Sequence, residues 1–274
     1  MTARSDYLRR LPEHARRRGS SANGEVEIVT AKRELERIEA ECASKLKGSA
    51  LGKNGKRIGI LLEDEVRMVV RDALRFPSGA TKCEMRIVGK TEYDGPNGVA
   101  VLCVAEGRFV LREIYRHATR SWELETVRGR RESGQTSIQA ARAEVKQELG
   151  YRVKRLHRLG RICPDTAVMS SMLELFMAEL GKGPRHDEPE STEAFGAIHR
   201  LTPRELGEAL ARGKIRDSYT IGALTLAQLR GLVAISIERV PGASVTPSAE
   251  LDLKALVRNT PERAAAQSRE RSRT

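Results

Sequence analysis

The sequence predicts an α/β fold preceded by a helical N-terminal extension, and three observations carry this. Two segments ahead of Pro77 repeat apolar residues at helical spacing. After Pro77 the pattern changes to short β-branched or apolar runs. A well-punctuated helix over 137–149 then interrupts the strands, and two more helices close the ordered part of the chain.

Taken in order, residues 1–24 hold Arg9, Arg10 and the Arg16-Arg17-Arg18 cluster before a Gly- and Ser-containing stretch, and by composition form a flexible basic leader. The extension spans 25–80. Over 30–48, Leu35, Ile38, Cys42 and Leu46 share one stripe, which predicts an amphipathic helix. The Gly- and Lys-rich segment 48–59 is a loop, and its glycines lack the spacing of a P-loop. Leu62, Val66, Val69, Val70, Ala73 and Leu74 predict a second helix that Pro77 stops.

The main domain is expected over 81–240. Runs at 85–88, 99–105 and 109–114 are strands, with Glu106-Gly107 as a two-residue hairpin turn between the last two. Thr136 offers a hydroxyl cap to the helix over 137–149, Ile138, Ala141, Val145 and Leu149 form its buried stripe, and Gly150 ends it. Strands follow at 152–161, 172–180 and 195–200. Thr202-Pro203 starts a helix ending near Gly213, and Asp217 caps another expected to reach about residue 238. Beyond 241 the Pro-, Ser-, Ala- and Arg-rich composition predicts a flexible tail.

Composition narrows the function. There are 49 Lys and Arg against 37 Asp and Glu, a net charge of +12, so anionic partners are attracted. Nucleic acid is one such partner, but aromatic residues at 4% disfavour a stacking platform for single strands, and a small nucleotide is preferred. The four cysteines form no C-x-x-C pair and suggest reduced core thiols rather than zinc ligands. With no membrane-length apolar run and no signal-like apolar region after the basic N-terminus, the expected location is cytoplasmic.

The most informative stretch is 129–151, GRRESGQTSIQAARAEVKQELGY. Glu144 and Glu148 stand four apart on its helix and Gln147 stands three from Glu144, so all three project from one face. Stacked carboxylates repel unless a cation lies between them, and hard oxygen ligands of this type suit Mg²⁺ or Mn²⁺. A solvated polar face is the alternative for such spacing.

This stretch resembles the Nudix box, G-x5-E-x7-R-E-U-x-E-E-x-G-U. Gly129, Glu144, Val145, Glu148, Gly150 and Tyr151 occupy the matching positions. Gln135, Ala143 and Gln147 depart from it, replacing a Glu, the Arg and one Glu of the adjacent pair. Upstream, Tyr115-Arg116-His117 and Trp122-Glu123-Leu124-Glu125 resemble the approach to the box in ADP-ribose pyrophosphatases, and Gly213-Lys214-Ile215-Arg216-Asp217-Ser218-Tyr219-Thr220 resembles the entry to their last helix.

The resemblance implies a Nudix α/β/α sandwich with a mixed β-sheet. It implies a Mg²⁺- or Mn²⁺-dependent hydrolase that cleaves the pyrophosphate of ADP-ribose or a nucleotide sugar, and a homodimer. Metal ligands would be Glu144, Glu148, Gln147 and the carbonyl of Arg128. Substrate contacts would come from Arg112, Arg116 and Glu125, with Glu190 or Glu193 as a metal ligand or general base. The departures leave a nucleotide-binding sensor or regulator as the alternative, and the basic leader and tail leave a nucleic-acid-associated Nudix protein as a further one.

Overall fold

The computed structural model describes residues 4–45, 57–90, 96–181 and 194–235. Its elements are β1 (Glu27–Ile28), α1 (Lys32–Lys45), β2 (Gly59–Glu63), β3 (Arg67–Arg75), β4 (Thr81–Gly89), β5 (Gly98–Ala105), β6 (Arg108–Arg116), β7 (Ser121–Glu125), β8 (Val127–Arg130), α2 (Ser137–Leu149), β9 (Val153–Ile162), β10 (Leu173–Leu180), β11 (Phe195–Leu201), α3 (Pro203–Ala211) and α4 (Ser218–Leu229). Short 3-10 turns at Arg4–Arg10, Glu13–Ala15 and Ser21–Asn23 precede them.

The main sheet runs β11-β6-β5-β10-β9, with β7 on β6 and β8 on β5, and is mixed because β5 and β10 are parallel while every other pair is antiparallel. Alternation along its central strands feeds two cores. Val99, Val101 and Cys103 of β5 join Phe176 and Ala178 of β10 under α2. Ala100, Leu102, Leu175 and Met177 face the other way, under α3 and α4. The expected α/β/α sandwich is therefore present. Glu106 and Gly107 both have positive φ, 51° and 74°, as a tight hairpin between right-twisted strands requires.

The N-terminal extension differs from expectation. The segment 62–74 is not a helix: it is most of a β2–β3 hairpin, extended by β4 on the other edge of β3. The Asp64 carboxylate accepts the backbone N–H groups of Val66 (2.7 Å) and Arg67 (2.6 Å), turning the chain where a helix would have continued. Val66, Val69 and Val70 also favour a pleated strand. Leu62, on the supposed buried stripe, is 59% exposed. Strand β4, which lies within the span expected for the main domain, pairs with β3 in the N-terminal sheet.

The leader is packed rather than free over its described part. Tyr7, Leu8, Leu11 and Ala15 enter one core with Ile38 of α1 and Val70 of β3. Asp72 accepts the Tyr7 hydroxyl and, at 2.6 Å, Nε of Arg86, whose Nη1 reaches the Ala15 carbonyl at 3.0 Å. The arginine cluster hid this apolar pattern. The N-terminal sheet meets the main domain through Ile87, whose N–H donates to Val168 and whose carbonyl accepts from Ser170.

Helix α4 is shorter than expected, ending at Leu229 before Gly231 at φ 66°. Residues 46–48 and the 241–274 tail lie outside the described residues. Among the described residues no helix is long and apolar enough to cross a membrane.

Candidate active site

Helix α2 follows the loop 131–136 and is locked at both ends. Thr136 accepts the Gln139 N–H at 3.2 Å while Gln139 Oε1 accepts the Thr136 N–H at 2.9 Å, a reciprocal cap. Gly150 closes it at φ 68°. Its buried face is Ala140, Ala141, Val145 and Leu149, and Ile138, expected there, is 48% exposed.

This packing presses the acidic face onto β8. A Cβ added at Gly129 would stand 1.9 Å from the carboxyl carbon of Glu144, so only a glycine lets that carboxylate lie against the strand. Glu148 Oε1 accepts the Arg128 N–H at 3.3 Å. Both carboxylates are half-buried, and Gln147 is exposed beside them. Gln135 turns back to its own loop, its Oε1 accepting the Glu132 N–H. Arg142 does not replace the arginine missing at Ala143, because its Nη1 donates to the Val153 carbonyl at 3.0 Å.

The other expected residues form a second layer. Glu125, 3% exposed, receives Arg116 through Nε and Nη2 (2.6 Å to Oε2) and Arg128 through Nη2 (3.0 Å). Burial of an unpaired carboxylate would be costly, and two guanidinium groups offset that cost. Glu125 thus holds the two arginines in place. Arg112 is buried: it donates to the Glu148 carbonyl at the end of α2 and lies 4.0 Å from the centre of the Phe195 ring. In the described structure it therefore supports the helix rather than lining a cavity. Glu190 and Glu193 lie outside the described residues.

Sequence reasoning missed three side chains of this cluster. The Arg128 side chain bonds Asp217 at 3.1 Å and lies over the Tyr219 ring at 5.3 Å. Asp217 also caps α4 by accepting the Thr220 N–H at 2.8 Å. The motif containing Asp217 and Tyr219 was visible, but its contact with β8 spans 89 residues and depends on the topology. Trp122 is 53% exposed and packs edge-on against Tyr115.

A cavity of about 330 Å³ opens beside Gly129, lined by Arg116, Arg128, Arg130 and Tyr219 of the main domain and by Arg67 and Lys90 of the N-terminal sheet. No acidic side chain lines it among the described residues. A larger cavity of about 570 Å³, bounded by Trp122, Glu123, Glu205 and Glu208, touches none of the site residues.

The oxygen donors fit a hard divalent cation in chemical type: two carboxylates and an amide on one helical turn, braced by the backbone at Gly129. The set is lean. Among the described residues there is no group of three or more His, Cys, Asp or Glu placed to hold a metal.

An α/β/α sandwich that sets a glycine-flanked acidic helix against its central sheet defines the Nudix fold. Residues 96–221 match the family model described as NUDIX domain, and the chain carries a Nudix domain over that span. A solved crystal structure of an ADP compounds hydrolase is similar in fold, with a TM-score of 0.51 and 21% sequence identity over 63% of this chain and 91% of that one. No curated protein matches the sequence.

Proposed function

We propose that this domain is a divalent-metal-dependent hydrolase that cleaves the pyrophosphate of a nucleoside diphosphate linked to a second group, with ADP-ribose or a nucleotide sugar as the favoured class. The observation that carries this is the double role of Gly129. It lies against the Glu144 carboxylate and also lines the cationic cavity, which no acidic side chain lines among the described residues, so an anion in that cavity sits beside the acidic face.

Glu144 and Glu148, with the Gln147 amide oxygen and the Arg128 carbonyl, would hold Mg²⁺ or Mn²⁺. The metal supplies neutralisation of charge on the pyrophosphate oxygens, whose repulsion otherwise protects the link from attack. Arg116 and Arg128, oriented by Glu125, clamp the same oxygens with planar donors. Water adds to one phosphorus and the bridging P–O bond breaks. A nucleoside monophosphate and a second phosphate ester leave. We assign the base that takes the water's proton to Glu190 or Glu193.

The test is nucleoside monophosphate release from ADP-ribose and nucleotide sugars with Mg²⁺ or Mn²⁺. Turnover falling more than about 100-fold in Glu144→Gln and Glu148→Gln is the expected result. The lean donor set, with exposed Gln147 in place of a carboxylate, supports a second reading as a nucleotide-binding sensor. Binding without turnover across that panel would establish the sensor instead.

A further inference from the structure

The cavity beside Gly129 holds more positive charge than a clamped pyrophosphate uses. Arg116 and Arg128 are balanced by Glu125 and Asp217. Lys90 is partly held, donating to the Asp64 carbonyl at 2.8 Å and standing 3.1 Å from Glu63. Arg67 and Arg130, both exposed, form no salt bridge among the described residues. Both guanidinium groups therefore line the cavity without a salt bridge among the described residues, Arg67 feeling the Asp64 carboxylate only at longer range.

Unused donors meet that wall. The Asn97 side chain is oriented by its Oδ1, which accepts the Met172 N–H at 3.1 Å, and this leaves its buried Nδ2 with no hydrogen-bond partner. A Cβ at Gly89 would stand 2.8 Å from that nitrogen and 2.5 Å from Oγ of Ser171, so the glycine keeps the space before both groups open. Tyr219 is only 8% exposed, and its hydroxyl makes no hydrogen bond among the described residues. Exposed guanidinium groups and an orphaned amide donor, with no acidic side chain lining the cavity among the described residues, match one chemistry, an anion rich in acceptor oxygens.

Resting on the hydrolase reading above, we propose that this wall is a subsite for a phosphomonoester that the substrate carries outside its pyrophosphate, bound by Arg67, Arg130, Asn97 and Tyr219. A phosphomonoester near neutral pH is close to a dianion, whose charge Arg67 and Arg130 are placed to balance. A cavity of about 330 Å³ has room for the sugar bearing it. The N-terminal sheet, outside the Nudix domain, thereby supplies Arg67 as a specificity-determining residue.

The experiment compares, in the full chain with Mg²⁺, ADP-ribose and two derivatives carrying a phosphomonoester on the adenosine ribose or on the distal ribose. In the wild type, kcat/KM for at least one derivative should exceed that for ADP-ribose by about tenfold. In Arg67→Ala and Arg130→Ala this ratio should fall toward one, and Arg67→Lys should restore part of it, a pattern that general loss of structure does not produce. Ratios within about twofold of one for both derivatives, or ratios unchanged by the substitutions, would overturn the subsite. If no compound is turned over, the hydrolase reading fails separately, and the same ratios taken from dissociation constants by calorimetry decide the subsite.

Discussion

At the level of single residues, Gly129 separates activity from stability. An added methyl there collides with the far end of the flexible Glu144 side chain, not with backbone, and Gly129 is not among the positive-φ glycines. Gly129→Ala should therefore swing the carboxylate away at little cost to folding. The expected outcome is a loss of turnover approaching that of Glu144→Gln with a nearly unchanged thermal midpoint, checked by parallel kinetics and calorimetry. Glu123 gives a pH prediction. Its carboxylate accepts Ser121 Oγ at 2.6 Å and is also paired with Arg216, and these partners hold its pKa below the ordinary 4.5 despite burial. A carboxylate depressed in the folded state contributes stability above its unfolded pKa and loses it as pH falls through the folded value. The stability gap between wild type and Glu123→Gln should be widest near neutrality and should close below pH 4.5, as read from urea midpoints across that range.

Among the elements, α2 is the one whose placement the chemistry needs, and its ends are individually testable. Thr136→Ala removes half of a reciprocal cap and should cost about 1 kcal/mol in urea unfolding. Both caps of α2, the β5–β6 turn and the start of α3 were legible in the sequence, because each is set by residues within a few positions of one another. The β2–β3 hairpin was not, since its apolar residues satisfy a helical period as well as a strand, and the Asp64 turn between them is a side-chain event. The helix that carries Glu144 and Glu148 was legible by motif. Their bracing was not, because the approach of Gly129, the burial of Arg112 and the Arg128–Asp217 pair arise only when distant strands and helices meet.

For the whole molecule, the leader and the N-terminal sheet form a core of their own that meets the Nudix domain through Ile87 and along the cavity wall. Leu11 is 1% exposed in that core, so Leu11→Ala should destabilise it by about 2–5 kcal/mol, seen as faster amide exchange along β3. The basic residues of the leader also have internal work. Arg16 donates to the Leu11 carbonyl at 2.6 Å, Arg17 pairs with Glu25, and Arg18 donates to the Ile28 carbonyl at 3.1 Å. The cavity, finally, has a kinetic consequence. Cationic walls with no acid among the described residues, in a chain of net charge +12, draw an anionic ligand in from beyond contact range. That pull is screened over about 8 Å at physiological ionic strength. Raising salt should therefore slow capture of a nucleotide while leaving its escape rate much less affected, so the ionic strength around the protein sets how quickly it can respond to a scarce ligand.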